Sequence, residues 1–248
     1  TRADVFNISG SITGTINGGD QLQGSADIIN VTTSGGLTYQ LAALNDVNRV
    51  INSSDAVLDI YDIETLNANA EGNNTLNGLV DANNTWNVAS TNTVNGMTFT
   101  GIENVVGGNL QDSFTFNGAY LDGVVDGGDN NIDAGDSLTL TGNISNVAVH
   151  IGERTTTDIN VNNIEELTSS VNISLVADNN ANEWIIRDSA HGTINDDITF
   201  TGFSRLVGGT NNDSFEFVLG ESFNYSNGIV VSIDGGLSPA TGSSTDTV

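Results

Sequence analysis

The sequence predicts an all-β fold: a right-handed parallel β-helix (solenoid) of tandem modules about 100 residues long. Three observations carry that expectation. First, one long stretch occurs twice. Residues 99–116 read FTGIENVVGGNLQDSFTF and residues 200–217 read FTGFSRLVGGTNNDSFEF, with Asp112 and Asp213 101 residues apart. Self-similarity at a fixed period marks architectures whose units bury their apolar faces on one another. Second, Val, Ile, Leu and Phe fall in short alternating runs between Gly, Asn and Asp clusters, as in many short strands joined by turns. Third, strand anchors recur roughly 16–26 residues apart within a module, which suits one coil of two or three strands with tight corners.

The elements follow in order. Asp4-Val5-Phe6-Asn7-Ile8 aligns with Asp112-Ser113-Phe114-Thr115-Phe116 and with Asp213-Ser214-Phe215-Glu216-Phe217, each an Asp turn opening an alternating strand. Ile16-Asn17-Gly18-Gly19 matches Val125-Asp126-Gly127-Gly128 and Ile233-Asp234-Gly235-Gly236. Each leads to an Asp and another strand, at Asp27, Asp136 and Asp246. An Ile-Glu unit follows, Ile63-Glu64 and Ile164-Glu165, again 101 residues apart. Then Asn84-Thr85-Trp86-Asn87-Val88 corresponds to Asn182-Glu183-Trp184-Ile185-Ile186. Gly, Asn and Asp suit sharp corners because they tolerate left-handed backbone angles. The single Pro fits stacked strands that cannot lose a backbone donor. The expected inward residues are Phe6, Ile8, Ile29, Val31, Phe99, Val106, Phe114, Phe116, Leu138, Leu140, Val147, Val149, Ile164, Phe200, Val207, Phe215 and Phe217.

The modules divide the chain at 1–111, 112–212 and 213–248. Both ends fall within the pattern, so the expectation is a segment, a little over two modules long, of a longer tandem array. The alternative fold is a string of immunoglobulin-like β-sandwiches, whose domains are also about 100 residues long. Scarce Pro and Gly-Gly turns repeated inside each module favour the solenoid.

Charge excludes several partners. Five basic residues, all Arg, stand against 31 acidic ones, for a net charge of −26. Such a surface repels phosphate backbones and anionic lipid heads, so neither nucleic acid nor a membrane surface is expected as partner. No apolar run approaches the roughly 20 residues of a membrane span. With no Cys and no Lys, disulfides, thiol catalysis and Schiff-base chemistry are absent.

The acidity favours a hard cation instead, and Ca²⁺ is the candidate ion. Residues 126–136 pack Asp126, Asp129, Asp133 and Asp136 into eleven positions, the best candidate Ca²⁺ loop; Asp213 is a further candidate ligand. Asp residues in such turns also act simply as turn formers. His191 with Asp188, and the group around His150, are the places to look for acid–base catalysis. Neither recurs at its repeat-equivalent position, and no Gly-x-Ser-x-Gly elbow exists, so surface ion pairs and a non-enzyme are expected. Trp86 and Trp184 occupy equivalent positions, which points to packing rather than sugar stacking.

Gly208-Gly209-Thr210-Asn211-Asn212-Asp213-Ser214-Phe215 resembles the Ca²⁺-binding nonapeptide of RTX proteins, with Asn211 where that pattern has Gly. The whole set of signatures resembles the tandem modules of large bacterial surface adhesins, the filamentous-haemagglutinin-like and RTX-related giant repeat proteins of Gram-negative bacteria. The resemblance implies an extracellular or cell-surface fibrous stalk serving attachment or biofilm formation. Other parts of such a protein would meet the surface, matrix polysaccharide or neighbouring cell. The alternative function is a polysaccharide-binding or polysaccharide-cleaving β-helix protein.

Overall fold

A computed structural model of the chain describes residues 3–10, 12–19, 25–42, 57–129, 135–152, 155, 157–188, 191–218 and 232–236. Among these the fold is all-β, with no helix. The first eleven strands are β1 (Val5–Ile8), β2 (Gly14–Asn17), β3 (Ile28–Val31), β4 (Thr38–Leu41), β5 (Val57–Tyr61), β6 (Thr65–Asn67), β7 (Thr75–Asn77), β8 (Thr85–Val88), β9 (Asn92–Val94), β10 (Met97–Thr100) and β11 (Asn104–Gly108). The next eleven are β12 (Ser113–Asn117), β13 (Val124–Gly128), β14 (Ser137–Thr141), β15 (Ala148–Ile151), β16 (Ile159–Asn162), β17 (Glu166–Ser169), β18 (Ser174–Val176), β19 (Glu183–Asp188), β20 (His191–Ile194), β21 (Ile198–Thr201) and β22 (Arg205–Val207). β23 (Ser214–Phe217) and β24 (Ser232–Asp234) follow.

The strands assemble into two long sheets. One has 13 strands in the order β1-β3-β6-β10-β9-β8-β12-β14-β17-β21-β20-β19-β23; the other has 11 in the order β2-β5-β4-β7-β11-β13-β16-β15-β18-β22-β24. In both, the order of the first eleven strands repeats in the second eleven, and β23 and β24 begin a third round. The sequence repeat is therefore a structural repeat of eleven strands. The sheets cross the 111/112 and 212/213 boundaries without a break, because β12 pairs with β8 and β14 and β23 pairs with β19. Pairing is parallel everywhere except inside the triples β8–β9–β10 and β19–β20–β21. Parallel registers of this extent are not those of an immunoglobulin-like sandwich, whose sheets are antiparallel.

The antiparallel triples depart from the expected all-parallel stack. In the first, β9 and β10 are joined through Asn95 and Gly96, with φ of 49° and 90°. Two left-handed residues make the tight hairpin turn whose twist matches that of the strands, and Asn-Gly is its favoured sequence. Asn195 and Asp196 hold the corresponding left-handed angles in the second triple. Each triple runs back against the direction of stacking, so β10 lies on β6, and β21 on β17, while β8 and β19 carry the next module.

One apolar cluster fills the space behind the strands. At its largest packing points Trp86 stacks on Phe114 (centroids 5.7 Å, 12° between planes) and meets Phe99 edge-on. Trp184 repeats this with Phe215 (5.5 Å, 18°) and Phe200. Most expected inward residues are buried, but five assignments change: Val147, just before β15, is only partly buried, and four others lie in β1, β11, β22 and β23. In β11 and β22 the interior positions are Val105 and Leu206, not Val106 and Val207. The one-residue shift of phase follows from the buried Gly107 and Gly208, which take the next inward positions. Phe6 is only partly buried and Phe217 is 43% exposed, since β1 and β23 each have a neighbour on one side only among the described residues.

Candidate functional site

The carboxylates of the repeat do not form a cleft. They form a ladder at the corner where the chain enters the 13-stranded sheet. Each member is the residue just before a strand, and the side chains of Asp27, Glu64, Asp112, Asp136, Glu165 and Asp213 each accept the backbone N–H of the equivalent residue one strand earlier. Asp4 N–H donates to Asp27 Oδ1 (2.7 Å), and Asp27 N–H donates to Glu64 Oε2 (2.6 Å). The next run crosses from the first module into the second: Asn84 N–H donates to Asp112 Oδ1, Asp112 N–H to Asp136 Oδ1 (2.6 Å), and Asp136 N–H to Glu165 Oε2 (2.7 Å). The third round begins with Asn182 N–H on Asp213 Oδ1 (2.8 Å). The sequence Asn–Asp–Asp–Glu is thus the vertical code of a module. It explains three signatures at once: the Asp before each strand, the Ile-Glu unit and the Asn two residues before each Trp.

Asp27, Asp112, Asp136 and Asp213 are buried. A buried carboxylate is costly unless donors surround it. Asp112 meets that requirement: Oδ1 also accepts the Asn84 side-chain amide (2.8 Å) and Oδ2 accepts Gly108 N–H (2.6 Å). Burial nonetheless pushes the Asp112 carboxyl above the ordinary carboxylate range, against the pull of the Gly108 and Asn84 hydrogen bonds. Glu103, which accepts Asn74 N–H at the corner of the other sheet, is raised for the same first reason. Tyr39, wholly buried, is pushed up to about 12 by burial and then by the Glu103 charge.

The ladder also accounts for the Gly-Gly pairs. A Cβ on Gly18, Gly107, Gly127 or Gly208 would stand 2.2–2.4 Å from Oδ2 of Asp27, Asp112, Asp136 or Asp213. The first glycine leaves room for the carboxylate. The second takes a positive φ at Gly19, Gly128, Gly209 and Gly236, and stacks on the turn before it: a Cβ on Gly128 would lie 2.3 Å from the Gly108 carbonyl oxygen. Gly-Gly followed by Asp is therefore the seat of a buried acid.

The candidate metal residues are distributed differently from one another. Asp136 and Asp213 belong to the ladder. Asp126 sits on the outer side of β13 and accepts from Gly128 N–H (3.0 Å) and Asn163 Nδ2 (2.8 Å). Asp129 is exposed in the turn, and Asp133 lies outside the described residues. Among the described residues no three His, Cys, Asp or Glu side chains converge as a metal group.

The two His residues have separate settings. His150 Nε2 lies 3.0 Å from Asp158 Oδ2, while Asp158 Oδ1 accepts Ala148 N–H (2.9 Å), so the pair fastens the start of β16 to β15. His191 is exposed on β20 at the register position opposite Asp188. Trp86 and Trp184 are fully buried, which removes both as platforms for a sugar ring. The outer face of the first sheet carries amide and hydroxyl rows instead, with Asn30 Nδ2 on Asn7 Oδ1 (3.0 Å), Asn67 Nδ2 on Asn30 Oδ1 (2.9 Å) and Thr100 Oγ1 on Asn67 Oδ1 (3.2 Å).

The sequence reading singled out Asp136 and Asp213 but missed Asn84 and Asn182 as buried network members. Their signal was the repeated Asn-x-Trp spacing. No family model, curated protein or solved structure matches the chain.

Proposed function

We propose that this chain is a non-enzymatic stalk segment of a secreted or surface-anchored bacterial adhesin, its sheets wound as a right-handed parallel β-helix. The observation that carries the reading is the unbroken stacking of both sheets through two full rounds of the repeat. Among the described residues every strand except those at the sheet ends is bonded on both sides, and the corner ladder ties one layer to the next. Such an arrangement spreads tension over many parallel hydrogen bonds. Thirteen strands at about 4.8 Å spacing span roughly 60 Å. In this reading attachment or biofilm formation is the role of the whole protein, and the adhesive contact lies outside this segment.

The test uses a non-adherent bacterium displaying a sugar-binding domain, with or without this chain as spacer, and measures retention under flow on a sugar-coated surface. Retention that rises with the spacer, while the chain alone retains no cells, supports a stalk. Release of products from acidic polysaccharide by the chain, lost in His191→Ala, would overturn it in favour of a cleaving enzyme.

A further inference from the structure

Asn is followed by Gly at four described places: Asn17-Gly18, Asn77-Gly78, Asn95-Gly96 and Asn117-Gly118. Asn227-Gly228 lies outside the described residues. Such a pair is chemically labile, because Gly has no side chain to keep its nitrogen away from the Asn amide carbon. The four nitrogens are held differently. Gly18 N–H donates to the Tyr61 carbonyl (3.0 Å), Gly78 N–H to that of Val106 (2.8 Å) and Gly118 N–H to that of Thr141 (3.0 Å). Those three are committed to the stack. Gly96 N–H donates to none of the described residues. It stands at the tip of the β9–β10 hairpin, where Asn95 and Gly96 are both exposed.

The second module supplies a natural control. Its corresponding turn is Asn195-Asp196, with left-handed φ of 54° and 59°. The Asn side chain is tied in the same way in both turns. Asn95 Oδ1 accepts Thr85 N–H (2.9 Å) and its Nδ2 donates to Asn84 Oδ1 (2.8 Å). Asn195 makes the same two bonds, to Glu183 N–H (2.8 Å) and Asn182 Oδ1 (3.0 Å). The turns differ in the next residue: Asp196 carries a side chain beside its own nitrogen, and Gly96 carries none.

We propose that Asn95 is a site of spontaneous deamidation, the first of these four pairs to react, and that its conversion loosens the seam between the first and second modules. Base removes the proton of the Gly96 nitrogen, which attacks Asn95 Cγ. The Cγ–Nδ2 bond breaks, and the amide nitrogen takes up a proton and leaves as ammonia. Water then opens the cyclic imide at either carbonyl, breaking its bond to the Gly96 nitrogen, which regains a proton. The product is aspartate, or isoaspartate with the main chain running through Cγ. In the aspartate an oxygen replaces Nδ2 and faces Asn84 Oδ1, acceptor against acceptor. Asn84 cannot turn its amide to meet it. Its Nδ2 is held by the Leu79 and Ala82 carbonyls and by Asp112 Oδ1, and its Oδ1 accepts Leu79 N–H. Asn84 is also the ladder member that joins Asp112 across the module boundary. Isoaspartate adds a main-chain atom to a two-residue turn whose geometry matches the strand twist.

The experiment ages the whole folded chain in warm, mildly alkaline buffer and follows amide-to-acid conversion site by site by peptide mass spectrometry. The chain unfolded in urea is the reference, in which all four pairs react. In the folded chain Asn95 is expected to convert ahead of Asn17, Asn77, Asn117 and Asn195. Its rate should fall by about tenfold or more in Gly96→Asp. The turn accepts that change, because Asp196 already holds a left-handed φ and a Cβ at Gly96 meets nothing within 4 Å. The reciprocal Asp196→Gly should make Asn195 convert as Asn95 does. The aged native chain should unfold at lower urea than the fresh one, and aged Gly96→Asp should not. Earlier conversion at Asn17, Asn77 or Asn117 in the folded chain overturns the proposal. So does an intact Asn195 in Asp196→Gly, or an Asn95 that survives folded while the unfolded chain loses it. Equal urea midpoints for aged and fresh native chains overturn the loosening of the seam.

Discussion

Asp112 is tolerated in the interior because three N–H groups converge on its two oxygens. Removing it leaves those donors buried without acceptors, which costs more than the net value of the bonds themselves. Asp112→Ala is therefore expected to destabilise the chain by about 2–5 kcal/mol in urea unfolding. Asp112→Asn keeps one acceptor oxygen and should cost less. Gly107→Ala should be as damaging as the alanine at 112, because its Cβ would stand 2.1 Å from the Gly127 carbonyl oxygen as well as against Asp112. Asp129→Asn, in the exposed turn, serves as the control and should lie within about 0.5 kcal/mol of the native chain. Equal losses at Asp112 and Asp129 would remove the ladder from the account.

At the scale of elements, the antiparallel triples are the irregular part of each module and also carry its Trp–Phe contacts. Each presents a Trp to one Phe of its own third strand and to one Phe of the next module's first strand. The Trp thus joins modules. Truncating Trp86 or Trp184 to Ala should cost about 3–5 kcal/mol each. β8 and β19 are six strand steps apart, about 29 Å, so the two losses should add within roughly 0.5 kcal/mol. A double variant much more stable than that sum would mean that the modules are not separately seated. Urea midpoints and slopes of the four chains decide it.

For the whole molecule, net charge and buried carboxyls act in the same direction. Self-repulsion at −26 opposes compactness and weakens as acids are neutralised. Asp112 and Glu103 bind protons more tightly folded than unfolded. Their contribution to stability is fully present below the unfolded values and is lost as pH rises through the folded ones. Asp234, held low chiefly by Gly236 N–H and then by Arg205, works the other way: its contribution is present above its unfolded value and is lost as pH falls through its lowered one. The melting temperature is therefore expected to rise as pH is lowered from about 7 towards about 5, and to rise with salt at pH 7. A fall over that pH interval would contradict the sign. The same melts read the Ca²⁺ proposal for residues 126–136. An ion bound there gives an increment over salt of equal ionic strength, removed by chelator and reduced in Asp129→Asn.

The period, the alternation and the corner chemistry were legible in the chain because each is local. Two-residue alternation sets which side of a strand is apolar, and Gly, Asn and Asp mark where the backbone must turn. So Phe114 and Phe215, Gly127-Gly128 and the repeated Trp could be placed correctly within a module from sequence. The phase of β11 and β22 could not, because Val105 and Val106 are equally apolar and only the buried Gly107 beside Asp112 decides between them. Nor could the reversed order of β8–β10, which depends on which strand edges compete successfully for β6 and β12. The acids show the division most clearly. Their number and spacing belong to the sequence, and suggested an ion. Whether a given Asp faces water or receives a neighbour's N–H is a matter of burial and of which strand lies beside it, and only the tertiary structure decides that.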